Sequence, residues 1–214
     1  MSSGQYDMAD IGTEAPASGK RANTKAANRR AILTAARRVF ALIGYEATTV
    51  RDIIRETDLA SGTFYNYFKS KEEVFQAIAV DSTHRFRAHL SEVRARTNSL
   101  EDYIEHAFRA YFSFIARENE EAILAGAPHL ALMGVRVDTP EMLAVAEEIR
   151  ADLEQTLAGE TAAGLDLEYL TAAAIGIARE MGDYMLQRRP VDVEGATRFA
   201  SGLVLAGGRA MMQR

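Results

Sequence analysis

Apolar side chains recur at three- and four-residue steps along most of the chain, the spacing that lays one stripe down an α-helix. Ile32, Ala36, Val39, Phe40 and Ile43 predict a helix from about Thr24 to Ile43, stopped by Gly44. Val50, Ile53 and Ile54 form the inner face of a short second helix, opened by Thr49 and closed near Thr57. The Thr49 hydroxyl can accept the Asp52 amide while the Asp52 carboxylate reaches back. Asp58, Leu59 and Ala60 make a tight turn, and Phe64 and Phe68, four apart, give the inward edge of a third short helix. Ser70 with Glu73 opens a long fourth helix through Val74, Ile78 and Phe86 to about Arg96.

The remainder reads as helical throughout. Ser99 with Asp102 starts a helix carrying Tyr103, Phe108, Tyr111, Phe112 and Ile115, and Gly126, Pro128 and Gly134 break the stretch after it. Thr139 before Pro140 opens a helix predicted to run toward Ala163, with Gly164 as its stop. Asp166 opens an eighth helix, Pro190 prevents it from passing Arg189, and Asp192 caps a ninth. The prediction is an all-α chain of about nine helices. No alternating run is long enough for a buried strand and no fixed-period repeat is visible, so sheets and solenoids drop out. Residues 1–19 show no period and few large apolar residues, and read as a disordered lead.

Composition narrows the functional classes. With no cysteine among 214 residues, a disulfide framework, a thiol nucleophile and cysteine-based metal sites are excluded. No apolar run approaches the ~20 residues of a membrane-spanning helix. None follows Met1 either, so the chain is expected to be cytoplasmic. The formal net charge of -5 hides an asymmetry. Between Lys20 and Arg55, nine basic residues face two acidic ones, net +7, while from Asp81 onward 14 basic residues face 21 acidic ones, net -7. A polyanion should therefore meet only the N-terminal end.

Two short helices joined by a tight turn behind a longer basic helix form the arrangement that sets one helix into the major groove of DNA. With Phe64 and Phe68 turned inward, Ser61, Gly62, Thr63, Tyr65, Asn66 and Tyr67 are left on the outer and flanking faces. Gly62 lets backbone approach a duplex, Thr63 offers a hydroxyl to phosphate and a methyl to thymine, and Asn66 can bond adenine twice. Lys69 and Lys71 frame the exit as phosphate-neutralising charges. For Tyr65 and Tyr67 the competing reading is packing within the head.

The stretch TTVRDIIRETDLASGTFYNYFKSKEEVF, within Arg30 to Phe75, resembles the DNA-binding domain of the TetR family of bacterial transcriptional regulators. The resemblance implies a homodimer with a helix-turn-helix DNA-binding domain at 20–70 and a helical effector-binding and dimerisation domain at 71–214. It also implies a palindromic double-stranded operator as partner and a small-molecule effector that releases a repressor. Carried across by position, Arg51 matches a base contact, Thr63, Tyr65, Asn66 and Tyr67 match the recognition surface, and Thr49 and Lys71 match phosphate contacts. The chain departs from the family at Asp58, where glycine is common, and at Ala60, where serine or threonine is common. Ala60 cannot cap, so Ser61 is expected to take over one residue later.

In the C-terminal part, Tyr103, Phe108, Tyr111, Phe112, Leu132, Met133, Met142 and Tyr169 are the candidate lining of a pocket for a largely apolar effector, with plain core packing as the alternative for each. Arg179 and Asp183 stand at the spacing of an intrahelical ion pair, the favoured reading; the sharper one makes Arg179 an anchor for an anionic effector. Small residues on the last two helices allow close approach. Ala173, Ile177, Met181, Gly202 and Ala206 are the candidate dimer interface, as the family resemblance also implies. No cofactor or metal is expected. His84 and His89 are five apart and diverge on a helix, and no HExxH, GxSxG or phosphate-cradling loop occurs, which leaves an all-helical enzyme a weak rival. A non-specific DNA-coating protein is the other alternative, distinguished by competition with random DNA.

Overall fold

The computed structural model describes residues 17–128, 139–157 and 165–212. Among them the chain forms helices α1 (Ala17–Ile43), α2 (Val50–Arg55), α3 (Ser61–Tyr65), α4 (Lys71–Arg96), α5 (Leu100–Glu118), α6 (Glu120–Leu124), α7 (Pro140–Leu157), α8 (Leu167–Gln187) and α9 (Val193–Met212), and no strand.

Local chemistry sets most boundaries. Thr49 caps α2 as a reciprocal box: its hydroxyl oxygen accepts the Asp52 amide at 3.3 Å, and Asp52 Oδ2 accepts the Thr49 amide at 3.0 Å. Ser70, Ser99 and Asp166 cap α4, α5 and α8 as their positions predict. Gly44 ends α1 at φ 82°, a left-handed conformation in which glycine avoids the Cβ penalty. Helix α1 begins at Ala17 instead of near Thr24. Its first turns are rich in Lys, Arg and Ala, good helix formers, but the apolar stripe starts only at Ile32, so periodicity could not see them. Of the supposed lead, residues 1–16 lie outside the described ones, as do the expected α7 end at Ala163 and the stop at Gly164.

Two hydrophobic cores organise the molecule. The first packs Ile32, Ala36 and Phe40 of α1 against Ile53, Phe64 and Phe68, and takes Val74, Phe75 and Ile78 from the start of α4. The second gathers Tyr103, Ile104, Phe108, Phe112 and Ile115 of α5 with Leu153, Met185, Leu186, Ala200 and Val204 of α7, α8 and α9. Helix α5 is the central post of this larger body, crossed by α9, α8, α7 and α4. Ion pairs tie its rim: Arg109 to Glu194 and Arg209 to Glu101 join α5 to α9, and Arg87 to Glu148 joins α4 to α7.

Phe112 is 0% exposed and stacks on Phe108 with ring centroids 5.9 Å apart. Phe112→Ala is expected to cost about 3–5 kcal/mol through lost burial and the cavity left behind. Urea unfolding should show it as a lowered midpoint at constant slope.

Candidate nucleic-acid interface and internal cavity

The head presents α3 on a scaffold that needs little from α3 itself. Phe64 is fully buried and Phe68 nearly so, which anchors five helical residues and the turn after them. Ala60 stands at the N-cap with no side-chain hydrogen bond, so Ser61 does not take over the cap; the Thr63 amide bonds the Ala60 carbonyl at 2.8 Å. The helix still forms because burial of Phe64 and Phe68 replaces what a cap would contribute. The α2–α3 turn is held by Thr57, whose hydroxyl donates to the Ile54 carbonyl at 2.8 Å and accepts the Leu59 amide at 3.3 Å. No described non-glycine residue has positive φ, so Asp58 occupies ordinary backbone space and glycine is not required there.

The predicted contact residues divide into two groups. Thr49, Arg51, Ser61, Gly62, Tyr65, Asn66 and Lys69 are exposed on the α2–α3 face, and Thr63 is half-exposed beside them. Tyr65 is 58% exposed, its ring set edge-on to Phe64. A Cβ added at Gly62 would meet nothing within 4 Å, so the fold does not need glycine there. Tyr67 is half-buried against the head core, and Lys71 is already engaged. Its Nζ donates to the carbonyls of Tyr45 and Glu46 at 2.9 and 3.0 Å and lies 4.6 Å from the Tyr45 ring centroid, tying the α1–α2 loop to the start of α4. The Asp52 carboxyl is held below its ordinary pKa by its hydrogen bonds from Thr49.

At the other end of the head, an ionic knot joins it to the body. Arg37 of α1 donates to Asp81 at 3.1 Å, to Ser82 at 3.2 Å and to Glu118 at 3.2 Å, and Arg85 grips the same Glu118 through both of its carboxylate oxygens. Burial lowers the Arg37 pKa, and Glu118 and Asp81 oppose that shift. Sequence reasoning missed this knot. Its members are 44 and 81 residues apart and carry no local spacing signal.

A cavity of about 670 Å³ lies just behind the knot. Its wall is largely apolar, from Phe86, Leu90, Ile104, Phe114, Ile149 and Ala174, and reaches Thr34, Arg37 and Arg38 of α1. Of the predicted lining, Tyr103, Phe108, Tyr111, Met142 and Arg179 are present. Phe112 is not: it points the other way on α5, into the core against α8 and α9. Tyr169 is not either, because the first turn of α8 leaves it 78% exposed. Leu132 and Met133 lie outside the described residues. Tyr103 donates to Oδ2 of Asp152 at 3.0 Å, and the 4%-exposed Asp152 carboxylate also pairs with Arg94. The Tyr111 hydroxyl has no hydrogen bond among the described residues, and burial pushes its pKa above the ordinary tyrosine range. Arg179 bonds Glu180 at 3.0 Å, not Asp183, since both of its donating nitrogens turn to the adjacent carboxylate.

The predicted interface residues on α8 and α9 also divide. Ala173, Gly202 and Ala206 are exposed, whereas Ile177 and Met181 are half-buried against their own body core. Among the described residues no cluster of His, Asp and Glu could hold a metal ion, and no helix is long and apolar enough to cross a membrane.

A basic head with an exposed short helix behind a tight turn, on a helical body with a largely apolar cavity, defines a helix-turn-helix DNA-binding protein. Residues 32–78 match the family described as bacterial regulatory proteins, tetR family, and the chain is similar to transcriptional regulators of that family. The transcriptional regulator TcmR of Streptomyces glaucescens is 27% identical over 85% of this chain and 81% of its own length. The repressor AcnR of Corynebacterium efficiens is 37% identical over 35% of this chain, a match that spans less than half (42%) of AcnR. In fold, the chain is similar to FadR of Bacillus subtilis, solved with stearoyl-CoA, at a TM-score of 0.69 and 20% identity over 83% of this chain and 98% of that one.

Gly62→Ala separates binding from folding. Helix propensity should raise stability by about 0.5 kcal/mol, while the added methyl on the outer face should weaken binding to a specific duplex. Paired thermal melts and binding titrations check both signs.

Proposed function

We propose that the chain is a homodimeric repressor that leaves a palindromic operator when a small, largely apolar effector fills the internal cavity. One observation carries this reading: Phe75 and Ile78 of α4 stand in the head core and in the cavity wall at once, with Arg37 beside them. An occupant that displaces this wall displaces the packing under α3. Arg51 and the outer residues of α3 read bases, and Thr49 and Lys69 bond phosphates. Lys71 holds the loop that orients α2 and spends only its remaining donor on DNA. The effector carries one hydrogen-bond acceptor for the Tyr111 hydroxyl, a group that Arg179 also flanks if it is anionic.

The dimer is proposed on α8 and α9. Phe199, Gly202, Leu203, Ala206 and Ala210 form an exposed apolar stripe at three- and four-residue steps on α9, and Tyr184 and Ala173 are exposed on α8. Added Cβ atoms at Gly176, Gly202 and Gly207 meet nothing within 4 Å, so these glycines leave room that one protomer does not fill. Two heads held this way reach successive major grooves, roughly 34 Å apart.

Footprinting at fixed salt, repeated with a compound library, tests the whole reading: a bounded protected site that a library member abolishes is expected, and protection without sequence preference would instead support the DNA-coating alternative. Leu203→Glu should halve the mass in solution and weaken operator binding about 100-fold or more, through loss of the paired heads. Tyr111→Phe should leave operator affinity unchanged and raise the effector concentration for half-release about 3- to 10-fold, the value of one neutral hydrogen bond.

A further inference from the structure

The head carries a second positive feature that the helix-turn-helix does not use. Helix α1 begins at Ala17, yet its first residue in a hydrophobic core is Ile32. Residues 21–27 and 29–31 are exposed, so about three turns of this helix lie outside both hydrophobic cores. Lys20, Arg21, Lys25, Arg29 and Arg30 fall in this part, and the chain has no acid from Ala17 to Tyr45. Burial contributes little to a stretch whose only apolar side chains are exposed alanines, and its like charges repel one another. A polyanion alongside relieves that repulsion; a bilayer does not suit it, because the helix has no apolar face to insert.

Geometry gives the extension a direction. The Arg29 guanidinium lies 5.5 Å over the ring of Phe68, at the end of the recognition segment. Arg21 and Lys25 precede Arg29 at four-residue spacing, so all three share the side of α1 that turns toward that segment. The other end of α1 is fixed to the body through Arg37. From Arg29 back to Arg21 the helix therefore projects ~12 Å away from the body.

We propose that the N-terminal extension of α1 is a second DNA-contacting element, its Arg21 and Lys25 lying along the phosphates that flank the site read by α3. The inference rests on the DNA-binding reading of the head. Phosphate contacts carry no base information, so the extension strengthens binding to operator and random duplex alike and leaves their ratio unchanged.

The test is the salt dependence of binding by the full chain carrying Arg21→Gln and Lys25→Gln, measured by anisotropy on an operator fragment and on a random duplex of equal length. Glutamine keeps helix propensity, and a parallel pair of alanine substitutions guards against helix loss as the cause. The slope of log affinity against log salt is expected to shallow by about 3.6 on both duplexes, near 0.9 for each of the four phosphate contacts that the two protomers lose. Parental slope and affinity on both duplexes would overturn the extension while leaving operator recognition intact. A shallower slope on random DNA, in a parent without operator preference, would sustain the extension and sink the regulator reading.

Discussion

Helix α4 is a single rigid element shared by two cores, and the rest of the architecture depends on that sharing. Its first two turns complete the packing under α3 through Val74, Phe75 and Ile78. Further along, Phe86 and Val93 pack against the body. A straight helix cannot shift at one end without moving the other, so whatever repositions the body end of α4 is felt where DNA is met. The Arg37–Asp81–Ser82–Glu118–Arg85 knot clamps α1 and α5 to α4 near its middle. Its four charged side chains remain 20–47% exposed, which limits what they add to stability. Its bidentate geometry instead sets one register between head and body.

The cavity follows from the same constraint. The body helices pack around α5, and between α4, α5 and α7 they leave space walled by Phe86, Phe114, Ile104 and Ile149. Its lining includes Arg37, Ser82 and Glu118 of the knot as well as Tyr111 and Arg179. An apolar chamber with few polar groups is the usual form of a small-molecule site. Here its distinguishing feature is a wall in common with the DNA-binding core. The surface charge acts separately. The basic head and acidic body orient the molecule on a polyanion before any base is read.

The sequence alone determined what depends on neighbours within about four residues: the caps at Thr49, Ser70, Ser99 and Asp166, the stop at Gly44, the inward pair Phe64 and Phe68, and the family resemblance in the head. These are local bonds and periodicities, and they need no tertiary context. Tertiary structure decided the rest. Phe112 and Tyr111 are adjacent in sequence and alike in character, yet one fills the core and the other lines the cavity, because their directions differ by ~100° around α5. Lys71 became a tie to the α1–α2 loop, and Arg179 chose Glu180 over Asp183, because a long flexible cation goes where the fold brings oxygens. The knot between α1, α4 and α5 joins residues far apart in the chain, and only folding could bring them within hydrogen-bond reach.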